Sequence, residues 1–135
     1  MAYEGFSASA ERMKYSRNPP SHEYIGALPT EEQAELVGKA KKGDVRSRDR
    51  ITEGLQRLVM GIAKSELSAR GYNPTGNLLD DMLNEGQIGL LKSIDRYDPS
   101  IINPETGKPF AIPTYAGWWI RQEIGRALNS NYGRI

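Results

Sequence analysis

The sequence predicts an all-α fold, a compact bundle of about four main helices, and three observations carry that expectation. Apolar residues recur at helical spacing over long stretches, no segment alternates with the two-residue period of a strand, and each helical stretch is bounded by glycine, asparagine or proline turn chemistry. A chain of 135 residues, 38% of them hydrophobic, is one domain's worth of polypeptide with enough apolar side chains for a modest core. Antiparallel neighbours are the default packing for such helices.

Residues 1–27 mix Gly, Ser, Asn, Pro and scattered charge without periodicity, and they are expected to form a flexible N-terminal arm ahead of a helical domain over 28–135. Tyr3, Phe6, Tyr15 and Tyr24 could dock that arm locally. Thr30 and Gln33 have the spacing of a capping box, Glu31 and Glu32 suit a positive helix end, and Gly43 supplies a stop, so the first helix is expected at about 31–42. Asp44 is placed to cap the next. There Ile51, Leu55, Leu58, Ile62 and Leu67 form the stripe of one long amphipathic helix that ends near Arg70 and Gly71. After a turn over 71–77, Asn77 is placed to cap a third helix carrying Leu79, Leu83, Leu90 and Ile94 to about Asp95. Pro99, Pro104, Pro109 and Pro113 with Gly107 mark a Pro-rich loop, and Thr114 opens a last helix from Tyr115 to about Leu128.

Composition excludes several classes of function. Lys+Arg 18 against Asp+Glu 17 leaves a net charge of +1, so any nucleic-acid contact must rest on local patches. Zero cysteines and a single histidine, His22, leave no disulfides, no thiol chemistry and no histidine or thiolate metal centre. Without an apolar run near the ~18 to 20 residues that span a bilayer, or a hydrophobic leader in Met1 to Pro20, the chain is read as cytoplasmic with no membrane association. Asp80 and Asp81 point about 100° apart on a helix and make no shared-proton pair, and no phosphate loop or activated nucleophile is present. Neither catalysis nor a cofactor is expected.

Two segments carry chemistry of another kind. Residues 78–95 hold Asp80, Asp81, Glu85 and Asp95 against Lys92, whereas 108–135 hold Lys108, Arg121, Arg126 and Arg134 against Glu123. An acidic helix thus precedes a basic one, although both could be ordinary solvated faces. In the last helix Ala116, Ile120, Ile124, Ala127 and Leu128 share an apolar arc, which leaves Trp118 nearly opposite and Trp119 on the flank, with Gln122, Gly125 and Arg126 on the polar side. Tryptophans beside arginine and glutamine suit stacking on unpaired bases; packing under the Pro-rich loop is the alternative. Gly86 and Gly89 each cost about 1 kcal/mol inside a helix. Close helix packing or a face kept flat for a partner would each account for them.

The run Leu-Leu-Asp-Asp-Met-Leu-Asn-Glu-Gly-Gln-Ile-Gly-Leu-Leu-Lys-Ser-Ile-Asp-Arg-Tyr-Asp (78–98), followed by Thr-Tyr-Ala-Gly-Trp-Trp-Ile-Arg-Gln-Glu-Ile-Gly-Arg-Ala-Leu (114–128), resembles the second conserved region of the sigma factors of bacterial RNA polymerase. Ala40-Lys-Lys-Gly-Asp44 and Arg57-Leu-Val-Met-Gly-Ile-Ala-Lys64 are similar to the segments leading into it, so the resemblance spans about 28–135. It implies docking of the acidic helix on the clamp helices of the largest β-type polymerase subunit through Asp81, Asn84, Glu85, Gln87 and Leu91. It also implies recognition and melting of a -10 promoter element: Trp118 and Trp119 wedge at the upstream fork, Tyr115 stacks at the start of the bubble, Gln122 reads the last duplex pair, Tyr97 helps hold a flipped adenine, and Arg121 and Arg126 lie near the DNA backbone. Flipping costs a few kcal/mol, which capture of the unstacked bases offsets.

The sequence departs from the family pattern in places. The loop before Tyr115 is longer and reads Phe110-Ala-Ile-Pro-Thr-Tyr115, Leu55 stands where asparagine is common, and Gly125 replaces a side chain that usually helps read the upstream pair. The resemblance reaches Ile135 without later sigma domains. The expectation is a reduced or phage-type initiation factor, or a fragment, with a co-activator in place of the missing domains. A polymerase-binding decoy that occupies the sigma site without melting DNA is the competing reading.

Overall fold

Five α-helices carry residues 25–132, the part of the chain that the computed structural model describes: α1 Thr30–Lys41, α2 Val45–Gly54, α3 Gln56–Ala69, α4 Gly76–Arg96 and α5 Ile112–Ala127. A 3-10 turn over Ile25–Ala27 precedes α1, and a π turn over Leu128–Tyr132 follows α5. The all-α expectation holds, with one addition. Ile102–Asn103 (β1) and Lys108–Pro109 (β2) pair antiparallel, Ile102 opposite Pro109 and Asn103 opposite Lys108, as a two-residue ribbon inside the Pro-rich loop.

Most of the expected apolar stripes meet in one core. Ile51, Leu55, Ile62 and Leu67 are buried with Leu90 and Ile94, and all five members of the last helix's arc, Ala116, Ile120, Ile124, Ala127 and Leu128, lie inside. Burying a Leu or Ile side chain contributes about 1.5–3 kcal/mol, so these helices are held by their shared face more than by intrinsic propensity. α3 and α5 run in the same direction, because a Cβ at Gly117 would meet Ile62 and one at Gly125 would meet Arg70, eight residues further along both helices. α4 lies antiparallel to α5, with Gly86 against Ile120 and Ile124 and the carbonyl of Arg96 accepting from the Tyr115 hydroxyl.

Those contacts settle the two glycines. A Cβ at Gly86 would lie 2.8 Å from Val59 Cγ1, and one at Gly89 would lie 2.6 Å from the Trp119 carbonyl oxygen and 2.8 Å from Ile120 Cα. Both face inward, so they let α4 approach α3 and α5. The reading of a flat face kept for a partner is overturned.

Other local expectations are corrected. The long second helix is two helices, broken at Leu55 (φ −112°, ψ 9°), where Gly54 comes within reach of Ile25. The Leu55 amide bonds back to Thr52 with the tighter 3-10 spacing, and Gln56 Nε2 also donates to the Thr52 carbonyl at 2.8 Å. No capping box forms at Thr30: Pro29 is the N-cap, and Thr30 Oγ1 is buried without a hydrogen-bond partner. Gln33 instead donates to the Leu28 carbonyl at 2.8 Å and accepts from the Ile112 amide at 2.7 Å, tying the start of α1 to the start of α5. Asp44 precedes α2 without a side-chain cap bond and accepts from Ser47 Oγ at 2.7 Å, while Asn77 lies inside α4, whose N-cap is Thr75. Pro113 sits in the first turn of α5, where its missing N–H costs nothing, so that helix begins at Ile112 and not at Thr114. Gly43 does end α1, at φ 100°.

Of the arm expected over 1–27, residues 1–24, with Tyr3, Phe6, Tyr15, His22 and Tyr24, lie outside the described residues. Its last stretch, Ile25–Ala27, is structured, and Ile25 is 1% exposed in the core.

Candidate polymerase and promoter DNA interface

The outward side of α4 follows from its buried side. Met82, Gly86, Gly89, Leu90, Ser93 and Ile94 face the core, so Asp81, Asn84, Ile88 and Leu91 stand on the exposed side within three turns. Asp81 and Asn84 are exposed and Glu85 is half-buried. Leu91 is 40% exposed and Ile88 44%, an apolar pair in an otherwise polar row. Gln87 does not stand free: its side-chain amide exchanges hydrogen bonds with that of Gln56 on α3, at 3.1 and 2.5 Å. Met60, one turn beyond Gln56, is also exposed. Ile88 and Met60 were not singled out from the sequence. Ile88 is four residues after Asn84 and off the buried ladder, a signal that spacing carried.

At the other end of α4, five aromatic rings cluster around the start of α5. Tyr97 packs edge-on to Tyr115 with centroids 5.5 Å apart, and Tyr115 packs on Trp118 at 6.1 Å and on Trp119 at 6.4 Å. Phe110 packs edge-on to Trp118 at 5.4 Å, and the Arg96 guanidinium lies 5.1 Å above the Trp119 ring. Phe110 comes from the loop and Arg96 from α4. Neither is linked to the tryptophans by helical spacing, which is why sequence reasoning missed them.

Exposure divides the cluster. Trp118 is 50% exposed, and Tyr115 and Trp119 are half-buried. Tyr97 is 2% exposed, its hydroxyl donates to the Phe110 carbonyl at 2.8 Å, and its own carbonyl accepts from Lys41 Nζ at 3.0 Å. Tyr97, expected to help hold a flipped adenine, is thus a buried ring directly beneath Tyr115. Burial, and after it the negative charge of Asp98, push its phenol above the ordinary value.

Along α5 the exposed side continues from these rings through Arg121, Gln122 and Arg126, all exposed, to Asn129 and Ser130 on the π turn. Arg121, Gln122, Gly125, Arg126, Asn129 and Ser130 line a shallow depression. Behind it Glu123 is 4% exposed, accepts from Lys92 Nζ of α4 at 2.6 Å and pairs with Arg126 Nη1 at 3.2 Å. Burial works to raise the Glu123 carboxyl, but its bonds to Lys92 and the charges of Arg126 and Lys92 outweigh it, so the group sits below the usual carboxylate range. The structure therefore gathers Tyr115, Trp118, Trp119, Arg121, Gln122 and Arg126 on one exposed strip, with Tyr97 buried beneath its aromatic end. Asp81, Asn84, Glu85 and Leu91 lie on a different helix.

The strip has a direction. From Tyr115 to Asn129 it covers about 20 Å at 1.5 Å per residue, roughly six base steps at 3.4 Å. π-faces fill one end and guanidinium and amide groups the other.

The family model for sigma-70 region 2 matches residues 52–133, from the end of α2 through α5. Proteins built on that region act in transcription initiation, binding core RNA polymerase and promoter DNA. The match contains both the outward face of α4 and the aromatic and basic strip of α5, and the chain belongs to the sigma-70 region 2 family of sigma-like initiation factors.

Proposed function

We propose that this chain docks on core RNA polymerase through the outward face of α4 and opens a -10-type promoter element with α5. The observation that carries this reading is the polarity of the α5 strip. Stacking surfaces suit unpaired bases, each stacked base contributing about 1–3 kcal/mol, whereas arginine and glutamine suit the backbone and last pair of a duplex. A single helix with the two in sequence fits a fork between melted and paired DNA.

Trp118, half-exposed and braced by Phe110 and Tyr115, is the wedge at the fork. Trp119 lies beside it under Arg96, and Tyr115 stacks on the first unpaired base. Gln122 reads the last pair, with Arg121 and Arg126 on flanking phosphates. On α4, Asp81, Asn84 and Glu85 supply the polar part of the docking face, Ile88 and Leu91 its apolar centre, and Gln87 ties that face to Gln56 of α3. The partner surface is the clamp helices of the largest β-type subunit. A co-activator adds promoter affinity to the complex, in a phage-type or bacterial factor working in the cytoplasm.

Two variants test the separation of roles. Changing Asp81 and Glu85 together to Lys should abolish polymerase binding with helix content unchanged. Trp118→Ala should keep polymerase binding and lose DNA opening. Undiminished binding in the first or undiminished opening in the second would remove the corresponding assignment, and binding without opening in the unaltered protein would indicate a decoy.

A further inference from the structure

Gly125 leaves α5 without a side chain in the middle of the basic depression, and the structure shows what lies there instead. A Cβ at Gly125 would stand 3.6 Å from Nη2 of Arg70, the residue that follows α3. Arg70 is oriented from its other nitrogen: Nη1 donates to Glu66 Oε1 at 2.7 Å and to the Glu66 carbonyl at 3.3 Å, with the Arg70 side chain 29% exposed. One face of the guanidinium is thus fixed by α3, and Nη2 is directed at the gap in α5. Because α3 and α5 run parallel and in contact, this placement belongs to the fold and not to a surface rotamer alone.

We infer that Arg70 is an additional DNA-contacting residue, binding a phosphodiester of the duplex upstream of the melted element and closing the depression that Arg121 and Arg126 open. The inference rests on the reading of α5 as the DNA face. Arg121 and Arg126, with Gln122, Asn129 and Ser130 as neutral donors, line a depression without an acidic side chain, and the Arg70 guanidinium stands at its Gly125 wall. That is the chemistry of a polyanion's backbone. Glu66 carries the opposing charge, yet it already accepts from Arg70 and lies on the α3 side. A phosphate fits where the guanidinium is shared between carboxylate and DNA, with Nη2 as the donor.

The test uses the complex of this protein with core polymerase on fork-junction promoter DNA, with affinity measured across a salt series. Arg70→Gln should lower the slope of log affinity against log salt by about 0.9, one phosphate contact, which is about 3.5-fold less tightening between 200 and 50 mM salt. The loss should be the same whatever base pair occupies the upstream position, and Arg70→Lys should keep the slope. Glu66→Gln removes the same ion pair but keeps the guanidinium, so it should leave the slope unchanged or tighten binding. An Arg70→Gln slope equal to the unaltered protein's overturns the inference, as does a Glu66→Gln loss of the same size or a loss confined to one base-pair identity. DNA binding that is indifferent to Trp118→Ala would instead indict the assignment of α5 itself, so the two failures are distinguishable.

Discussion

Replacing Gly89 by Ala is the smallest change that strikes both the core and the DNA strip. The added Cβ would lie 2.8 Å from Ile120 Cα and 2.6 Å from the Trp119 carbonyl oxygen. Carbon atoms pack comfortably at roughly 3.5 Å, so α4 and α5 must part by about 0.7 Å, and the obstacle is backbone that no rotamer change relieves. Helix propensity favours Ala by about 1 kcal/mol, while overpacking of this kind costs about 1–3 kcal/mol and occasionally more. A backbone obstacle places the cost at the upper end, for a net loss of about 2 kcal/mol, or about 8 °C in melting temperature at roughly 4 °C per kcal/mol. The control is Gly61→Ala in α3, where a Cβ meets nothing within 4 Å and the propensity gain of up to about 1 kcal/mol should appear undiminished. Urea unfolding with thermal melts followed by circular dichroism gives both values. Because the displaced backbone belongs to Trp119, Gly89→Ala should also slow DNA opening at temperatures where it remains folded. Equal stabilisation by the two substitutions would refute the packing argument.

Four further outcomes follow from the same geometry. Trp118→Ala should leave the melting temperature within about 2 °C, since the ring is half-exposed, yet abolish opening; a large loss of stability would mean the ring is chiefly a packing element. Tyr97→Phe removes the donor to the Phe110 carbonyl and should cost about 1 kcal/mol in urea unfolding with opening retained, whereas loss of opening at full stability would return Tyr97 to the DNA site. Leu91→Asp should weaken polymerase binding without unfolding the domain, and unchanged affinity in a pull-down titration would place the docking face elsewhere. The lowered Glu123 carboxyl contributes stability that is fully present above the ordinary glutamate value near pH 4.3 and is lost as pH falls through its lower folded value. The stability gap between the unaltered protein and Glu123→Gln should therefore be constant near neutral pH and shrink on acidification; a gap that stays flat would show the carboxylate to be unperturbed.

The parts of this molecule that sequence periodicity reaches are those where one helix decides its own faces. The arc of Ala116, Ile120, Ile124, Ala127 and Leu128 is buried as spacing requires, and that alone placed Trp118 outward. Helix ends were less legible. Thr30 and Gln33 have capping-box spacing, but the Ile112 amide, 79 residues away, competes for Gln33 and wins. The helix break at Leu55 has no mark in the apolar spacing, because Ile25, which lies against Gly54, is distant in sequence. The same limit hid the tertiary half of the site: Arg96 over Trp119, Phe110 against Trp118 and Arg70 at Gly125 are contacts between elements. Tyr97 shows the same limit: family likeness suggests a base-binding role, but no spacing announces that its hydroxyl is buried against the Phe110 carbonyl.

Direct observation of strand opening tests the central claim. Core polymerase and this protein are mixed at fixed salt with an AT-rich promoter carrying a fluorescent base analogue in the -10 strand, with and without a candidate co-activator. The account predicts a fluorescence rise that requires both polymerase and this chain and that is lost with Trp118→Ala. A polymerase complex that forms but never unstacks the analogue, under any of these conditions, would contradict it.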